Sequence, residues 1–227
     1  NYIDSESIEN QFSILKKNKN YYLSGKSFNA NKLIDNFLKA DFKTNKDIFK
    51  DNFKLKMNIE KTYLDKLNIV KYLEGYLVLE NNEIVDANIV SQFSSEKKIH
   101  FTIKKNDKEK ITTFFSDLAR PFVKRYKFIK GFEDGSIDFN SVKKNNNTNS
   151  ILKIYDFKLK ELPTLTKVLT LASLQGIADL LSGEGIRFNE FEMNFSNENN
   201  LMKINEIYSI GPAISVLMNG YVENDKL

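Results

Sequence analysis

The stretch NFKLKMNIE, from Asn52 to Glu60, has apolar and polar residues in strict alternation. Phe53, Leu55, Met57 and Ile59 are apolar, and the residues between them are lysine or asparagine. Because successive side chains of a β-strand point to opposite faces of the sheet, this pattern predicts a strand with one apolar and one polar face.

The same alternation recurs in five further segments. They are KIHFTIK with Ile99, Phe101 and Ile103, GSIDF with Ile137 and Phe139, YDFKLK with Tyr155, Phe157 and Leu159, FEMNF with Phe191, Met193 and Phe195, and ISVLM with Ile214, Val216 and Met218. Asparagine-rich segments at residues 80–83, 143–150 and 196–200 are typical of hairpin turns. Consecutive hairpins predict a mainly β fold with a few helices, in which the strands share one apolar side.

Helical patterns are fewer. Residues 30–40 and 116–128 each place apolar residues on one stripe, and Ser116 is predicted as the N-cap of the second helix. A third helix is predicted between Pro163, at its start, and Gly183, in the left-handed position past its end. Leucine, valine, isoleucine and alanine cover most of its circumference, so we expect this helix to be buried.

The composition limits the classes of function. The 227 residues suffice for one large domain or two small ones, and 12% of them are aromatic, which favours a folded, strand-rich chain. The net charge of +4 predicts no strong attraction for polyanions. Cysteine is absent, which excludes disulfides, a thiolate nucleophile and a cysteine-based metal site. No apolar run reaches the roughly 18 residues that a membrane span needs.

Candidates for catalysis are weak. Residues 183–185, Gly-Glu-Gly, lack the third glycine of a dinucleotide fingerprint, because Phe188 stands in its place. His100 is the only histidine, and alternation places it on the polar face of its strand without a second metal ligand. Glu133 with Asp134 or Glu184 is a conceivable acid and base pair, but FEDGS is typical of a tight turn and Glu184 lies between two glycines at a predicted helix end, so we favour a structural role for these carboxylates. We therefore expect no enzyme, no cofactor and no metal site.

The apolar face of the sheet most needs an explanation. If the predicted helices cover it, the chain is an ordinary α+β core; if part of it stays open, it forms an apolar trough for a ligand, partner or membrane. Each buried methylene contributes about 0.8 kcal/mol, so an acyl chain of about sixteen carbons would gain on the order of 10 kcal/mol. The lysine clusters fit the solvated face of a sheet, with contact to anionic lipid headgroups or nucleic acid as alternatives.

The order of motifs in the second half resembles that of a known family. IKGFEDGSIDF leads to a strand that ends near a proline, a Leu/Ala/Ser-rich helix closed by Gly-Glu-Gly, FNEFEMNF, and a Gly-Pro-Ala strand ending in glycine. This order is similar to the C-terminal region of AsmA-like envelope proteins, especially the long YhdP-type members of the AsmA/TamB-like family. The match is close over residues 129–223 and looser, in strand pattern alone, over residues 1–128. The residues that carry it are Pro163, Ser173, Gly176, Gly183, Gly185, Phe188, Gly211, Pro212, Ala213 and Gly220.

The resemblance implies an elongated, curled antiparallel β-sheet that forms a groove, with the Leu/Ala-rich helix buried against it. Residues 1–128 would be a looser β-rich segment of the groove and residues 129–227 a truncated AsmA-like C-terminal region, unless the two form one continuous domain. It also implies a location in the periplasm of a Gram-negative bacterium, with an inner-membrane anchor that precedes this chain.

By the same resemblance, we expect a segment that binds and conducts phospholipid between inner and outer membranes and serves outer-membrane biogenesis. The alternative is an envelope scaffold or assembly factor that acts by protein contacts. The implied partners are phospholipid acyl chains and other envelope proteins, and no nucleic acid. The candidate lipid-binding residues are Phe53, Leu55, Met57, Ile59, Ile99, Phe101, Ile103, Ile137, Phe139, Phe157, Leu159, Phe191, Met193, Phe195, Ile214, Val216 and Met218. The candidate structural motif is Pro163, Gly176, Gly183, Gly185, Gly211, Pro212 and Gly220.

Overall fold

The computed structural model describes residues 1–38, 52–81, 83–125, 131–160, 183, 185–198, 201–212 and 215–223. Thirteen strands and two short helices lie in this part of the chain. The mainly β class predicted from the alternating segments is therefore confirmed. The helix predicted between Pro163 and Gly183 lies outside the described residues.

The chain divides into two compact units, Asn1–Lys110 and Ile111–Leu227. In the first unit, the strands follow one another across the sheet in chain order. They are β1 (Tyr2–Ile3), β2 (Glu9–Lys17), β3 (Asn20–Asn29), β4 (Phe53–Tyr63), β5 (Ile69–Glu80), β6 (Glu83–Gln92) and β7 (Lys98–Lys105). The helix α1 (Asn31–Leu38) follows β3, within the amphipathic segment predicted at residues 30–40.

One strand pair departs from the antiparallel arrangement. β3 and β4 run parallel, so the prediction of an antiparallel sheet is wrong here. The segment that joins them runs from residue 30 to residue 52 and includes α1. Parallel strands need such a crossover, whereas a two-residue connection, as between β5 and β6, produces an antiparallel hairpin.

The second unit contains most of β8 (Lys110–Ser116), the short helix α2 (Arg120–Val123) and five longer strands. These strands are β9 (Phe132–Lys144), β10 (Asn147–Leu159), β11 (Ile186–Glu198), β12 (Leu201–Ile210) and β13 (Ser215–Glu223). From β9 to β13, each strand pairs antiparallel with the next one in the chain. The antiparallel order expected of consecutive hairpins is confirmed for these strands.

Asparagines occupy the turns between several strands. Asn18, Asn81 and Asn145 have φ angles of 55°, 50° and 53° and follow β2, β5 and β9 respectively. Asparagine adopts this left-handed conformation more readily than most residues, because its short polar side chain can hydrogen-bond locally. The predicted turns at residues 80–83 and 143–150 are confirmed.

Two local predictions in the second unit are wrong. Ser116 is the last residue of β8 and not a helix N-cap: its Oγ accepts a hydrogen bond from the backbone nitrogen of Leu118 at 3.2 Å, and α2 begins only at Arg120. The segment FEDGS lies inside β9, where Asp134 and Gly135 have φ angles of 60° and 77°. Residues that favour positive φ can form an irregularity within a strand as well as a turn.

Candidate functional site

The apolar side chains of the first unit form rows that cross the sheet. Strand pairing from β3 to β7 gives one row of Leu23, Met57, Gly75, Ile89 and Phe101, and a second row of Tyr21, Leu55, Leu77, Ala87 and Ile103. Because directly paired residues of adjacent strands point to the same face, the two rows make one continuous surface. We call it the first apolar face.

All seven candidate residues of this unit occur in β4 and β7, at alternating positions whose register places them on the first apolar face. Ile59, Ile99 and Ile103 are buried. The half-buried members are Phe53, Leu55, Met57 and Phe101. The alternation in the sequence therefore identified one surface.

The first apolar face is covered unevenly. Phe53, Leu55, Met57 and Phe101 keep part of their surface accessible, whereas Ile59, Ile99 and Ile103 on the same face are buried. The accessible part is the part of this face that a ligand or partner can contact.

The opposite face of the same strands is polar. Its central row contains Tyr22, Lys56, Tyr76, Asn88 and Thr102. His100 lies on this face, as predicted, with its Nε2 3.0 Å from Asn88 Oδ1. Two lysines of this face contact an acidic or an aromatic side chain. Lys104 Nζ is 2.7 Å from Asp86 Oδ1, and Lys54 Nζ lies 4.3 Å from the centroid of the Tyr76 ring.

Near the start of β6, one carboxylate joins two lysines. Glu83 accepts hydrogen bonds from Lys105 Nζ at 2.7 Å and from Lys110 Nζ at 2.9 Å. Burial raises the pKa of Glu83, but the hydrogen bonds and charges of the two lysines outweigh it and lower the pKa to about 2. The same contact raises the pKa of Lys105. Glu83 therefore stays charged at neutral pH and forms a structural ion pair with each of the two lysines.

The second unit has a corresponding apolar surface, which we call the second apolar face. One row contains Phe139, Leu152, Met193, Ile207 and Met218, and the next contains Ile137, Ile154, Phe191, Ser209 and Val216. Phe195 lies in a third row, between Ser150 and Ile204. The register thus brings together seven of the ten candidate residues predicted in this unit.

Phe157 and Leu159 take a different arrangement. Phe157 stacks between Phe132 and Phe188, with ring centroids 5.2 Å apart on both sides, and all three rings are buried. Asp156 has a φ of 53°, which interrupts the alternation of β10. A Cβ at Gly135 would be 3.0 Å from Phe157 Cβ and 3.5 Å from Ile154 Cγ2. Ile154 and Phe157 are three residues apart in β10, yet both side chains lie close to Gly135.

The stacked rings are sealed core. Their burial leaves little of Phe157 accessible to a ligand. Leu159 is half-buried at the end of the same strand, paired with Phe132 and Ile186. Ile214, the remaining candidate, lies outside the described residues.

The predicted structural glycines differ in what they do. Gly183 and Gly185 have φ angles of 72° and 82°, and a Cβ at Gly185 would be 2.9 Å from the Leu159 carbonyl oxygen. Gly211 is close to the backbone of Arg187, whereas no atom lies within 4 Å of the Cβ position of Gly220. Pro212 is an exposed bend residue after β12, and Pro163 and Gly176 lie outside the described residues.

The polar side of the second unit carries a carboxylate between a lysine and a tyrosine. Glu192 Oε2 is 2.6 Å from Lys153 Nζ and 2.9 Å from the Tyr208 hydroxyl, which donates to it. Hydrogen bonding to Glu192 and to Glu190 contributes to raising the pKa of Tyr208 to about 12. The phenol therefore stays protonated at neutral pH, and the lysine neutralises the carboxylate.

The other chemical candidates remain separate from one another. Glu133 pairs with Lys160 at 3.0 Å, while the glutamate between Gly183 and Gly185 lies outside the described residues. In the described part of the chain, no group of three or more acidic or histidine side chains is arranged to hold a metal ion. Neither of the two described helices has the length and apolar character needed to span a bilayer.

Comparison with known proteins adds no relative. No family model, no curated protein and no solved structure matches the chain. The resemblance to AsmA-like proteins therefore stays a prediction that rests on the motifs quoted above. What the structure contributes is the placement of fourteen of the seventeen candidate residues on two apolar faces.

Several members of these faces were absent from the predicted set. In the first unit they include Leu23, Leu77 and Ile89, and in the second Leu152 and Ile207. The segment GYLVLE, residues 75–80, has apolar residues at successive positions, so alternation alone does not assign Leu77 to a face. Pairing with Leu55, whose face is clear from the sequence, would have assigned it.

Proposed function

We propose that the chain binds lipid acyl chains along its apolar faces and acts as a non-enzymatic lipid carrier or conduit. The observation that carries the proposal is the half-burial of the large residues of the first apolar face. Leu55, Met57 and Phe101 are only half-buried, in a row-by-row arrangement that leaves no polar side chain between them. A contiguous, accessible apolar surface commonly marks a site for a ligand, partner or membrane.

The physical chemistry favours an extended apolar ligand. The rows run across five strands, and neighbouring strands lie about 4.8 Å apart, so a row spans about 20 Å. An acyl chain of about sixteen carbons has a similar length, and each methylene removed from water contributes about 0.8 kcal/mol. The polar face of the same strands provides the solvated side.

The resemblance to AsmA-like proteins supports a more specific version of this proposal. In that version, the sheet is a curled groove in the periplasm of a Gram-negative bacterium, held by an inner-membrane anchor in a longer protein. Phospholipid would move along the apolar faces towards the outer membrane. The second candidate function is an envelope scaffold, which the exposed apolar residues of β13 support because they suit contact with another protein chain.

Native mass spectrometry tests the proposal directly. The protein is purified from a bacterial envelope as wild type and as Met57→Glu and Phe101→Glu, which place a charge on the first apolar face. The matched controls are Asn58→Glu and His100→Glu, each one residue away in the same strand but on the polar face. We expect co-purifying phospholipid in the wild type and both controls, and its loss in the two apolar-face variants.

A second measurement uses the wild-type protein alone, so it does not depend on the folding of any variant. A phospholipid with a photoreactive acyl chain is bound to the wild-type protein, and the crosslinked peptides are mapped. We expect crosslinks at Leu55, Met57 or Ile89 and few at Lys56 or Asn88. A wild type without lipid would contradict lipid binding and favour the scaffold. Crosslinks spread equally over both faces would contradict binding along the apolar face.

A further inference from the structure

We propose that Lys61 and Lys71 form a binding site for a phosphate group on the polar face of the first unit. The site lies on the side of the sheet opposite the first apolar face, so it does not depend on the binding of acyl chains. The inference rests on the strand register, which places the two lysines directly opposite each other, and on the hydrogen-bond donor beside them.

The register of three strands assembles the site. Lys61 in β4 pairs with Lys71 in β5, and Lys71 pairs on its other side with Gln92 in β6. Gln92, Val90 and Asn88 occupy alternate positions of β6, so all three lie on the polar face. Because directly paired residues share a face, both lysines lie on the polar face as well.

A local irregularity turns Lys61 to this face. Alternation alone would put it on the first apolar face, because it comes two residues after Ile59. Tyr72, with a φ of 53°, interrupts β5 beside this point, and the pairing of β5 with β6 shifts there by one residue. In β4, Ile59 and Thr62 are both buried, whereas the two residues between them are exposed. The alternation is therefore inverted beyond Ile59.

The paired lysines concentrate positive charge. Like charges at directly opposite positions repel each other and destabilise a sheet. Lysines elsewhere have a carboxylate partner, such as Lys104 at 2.7 Å from its aspartate, but no ion pair between described residues includes Lys61 or Lys71. Glu60 precedes Lys61 in the chain, and Glu74 lies in the next row, opposite Asn58. An anion held between the two lysines would relieve their repulsion.

A phosphate group suits this arrangement. The Cβ atoms of directly opposite residues lie about 4.5–5.5 Å apart, so two flexible lysine side chains can bring their ammonium groups to one anion. Each ammonium has three donors, and the Gln92 amide adds a neutral donor next to Lys71. Phosphate offers several acceptor oxygens and carries up to two negative charges. Free phosphate and the phosphate of a lipid headgroup share this chemistry.

Side-chain NMR tests the site in the wild-type protein. Protein labelled with carbon-13 is titrated with inorganic phosphate at neutral pH, and sodium chloride is adjusted to hold the ionic strength constant. We expect the Cε signals of Lys61 and Lys71 to shift along a saturating curve. The control is Lys56, an exposed lysine on the same face of β4, whose signal should change little. Equal changes at all three lysines would overturn the proposal, because screening acts on every exposed charge.

A second probe distinguishes the two sources of phosphate. Glycerophosphocholine carries the phosphate of a lipid headgroup without acyl chains. Saturating shifts with this compound would assign the site to lipid headgroups, and shifts with inorganic phosphate alone would assign it to free phosphate. The absence of saturating shifts with both compounds would overturn the proposal.

Charge reversal provides a variant that should fold better than the wild type. Lys61→Glu replaces the repulsion with an ion pair to Lys71, so its Tm in chloride buffer should be higher. Its phosphate affinity, followed at the Lys71 signal, should fall by about tenfold or more. Lys56→Glu makes the same change of charge in the same strand and should keep the wild-type affinity within about twofold. Unchanged affinity in Lys61→Glu, or a Tm no higher than that of the wild type, would overturn the proposal.

Discussion

Gly75 shows how a single residue determines the spacing of two strands. It has a φ of 147°, and a Cβ in its place would collide with the carbonyl oxygen of Asn88 and lie 2.8 Å from Ile89 Cα. These are backbone atoms of β6 and cannot move independently of the sheet. We therefore expect Gly75→Ala to lower the free energy of unfolding by about 2 kcal/mol or more, measured by urea denaturation.

The matched control for Gly75 is Gly220, which is also within a strand. No atom lies within 4 Å of its Cβ position, so Gly220→Ala should change the free energy of unfolding by no more than about 0.5 kcal/mol. Similar losses in the two variants would mean that the close approach of β5 and β6 at Gly75 is not what requires glycine.

Glu83 gives a pH dependence of stability. Its pKa is lowered from 4.5 to about 2 in the folded chain, so its contribution to stability is complete above pH 4.5 and is lost as the pH falls towards 2. We expect Glu83→Gln to have a lower Tm than the wild type at pH 7 and the same Tm near pH 2. Thermal unfolding followed by circular dichroism over this pH range measures the difference.

The exposure of Glu83 limits the expected Tm difference between Glu83→Gln and the wild type. About a third of the glutamate side chain is accessible, and solvent weakens such ion pairs. Glu96→Gln, in the exposed segment between β6 and β7, serves as the control and should differ little from wild type. A Tm difference between Glu83→Gln and wild type that persists unchanged at pH 2 would contradict the assignment of Lys105 and Lys110 as its partners.

The element scale is where sequence prediction was most uneven. Strands with strict alternation, such as β4, were predictable because apolar and polar residues at alternate positions assign each side chain to one face of a sheet. The parallel pair of β3 and β4 was not, because the direction of pairing depends on the connecting segment and not on the pattern within either strand. Likewise, FEDGS contains residues that are common in turns, but it forms the first five residues of β9. It is a strand because β10 pairs with it, and that pairing is not visible in the segment itself.

The aromatic stack across β9, β10 and β11 predicts the stability of that strand group. Phe157 is 5% exposed and contacts one ring on each side. We expect Phe157→Ala to lower the free energy of unfolding by about 3 kcal/mol or more, because a large cavity replaces the ring. Phe157→Leu preserves most of the apolar volume and should cost about 1 kcal/mol, the value of the stacked pairs.

Urea denaturation of both Phe157 variants is compared with that of Phe115→Ala. Phe115 lies in β8 of the same unit and is 39% exposed, so its truncation removes less buried surface. If Phe115→Ala is as destabilising as Phe157→Ala, the stack is not the main source of stability in these strands.

At the scale of the whole molecule, the sequence predicts that the strands share an apolar side, but it predicts neither the division of that side between two units nor how accessible it is. Alternation places Met57 and Phe101 on one surface, and pairing confirms this placement. Whether another element covers that surface depends on contacts between segments far apart in the chain, which no local pattern contains. The half-burial of these residues, on which the proposed function depends, therefore required a structure.

Because the net charge of the chain is small, the charge of the vesicles distinguishes acyl-chain binding from headgroup binding. The 34 basic and 30 acidic residues nearly balance, and described lysines such as Lys104, Lys105 and Lys153 are paired with carboxylates. If the apolar faces bind the acyl chains, uptake from neutral and from anionic phospholipid vesicles should agree within roughly threefold and vary little with added salt. Vesicle flotation followed by lipid extraction measures this uptake. A steep preference for anionic vesicles that salt abolishes would instead assign the interaction to the lysines of the polar face, because screening acts on exposed charges and leaves the burial of methylenes unchanged.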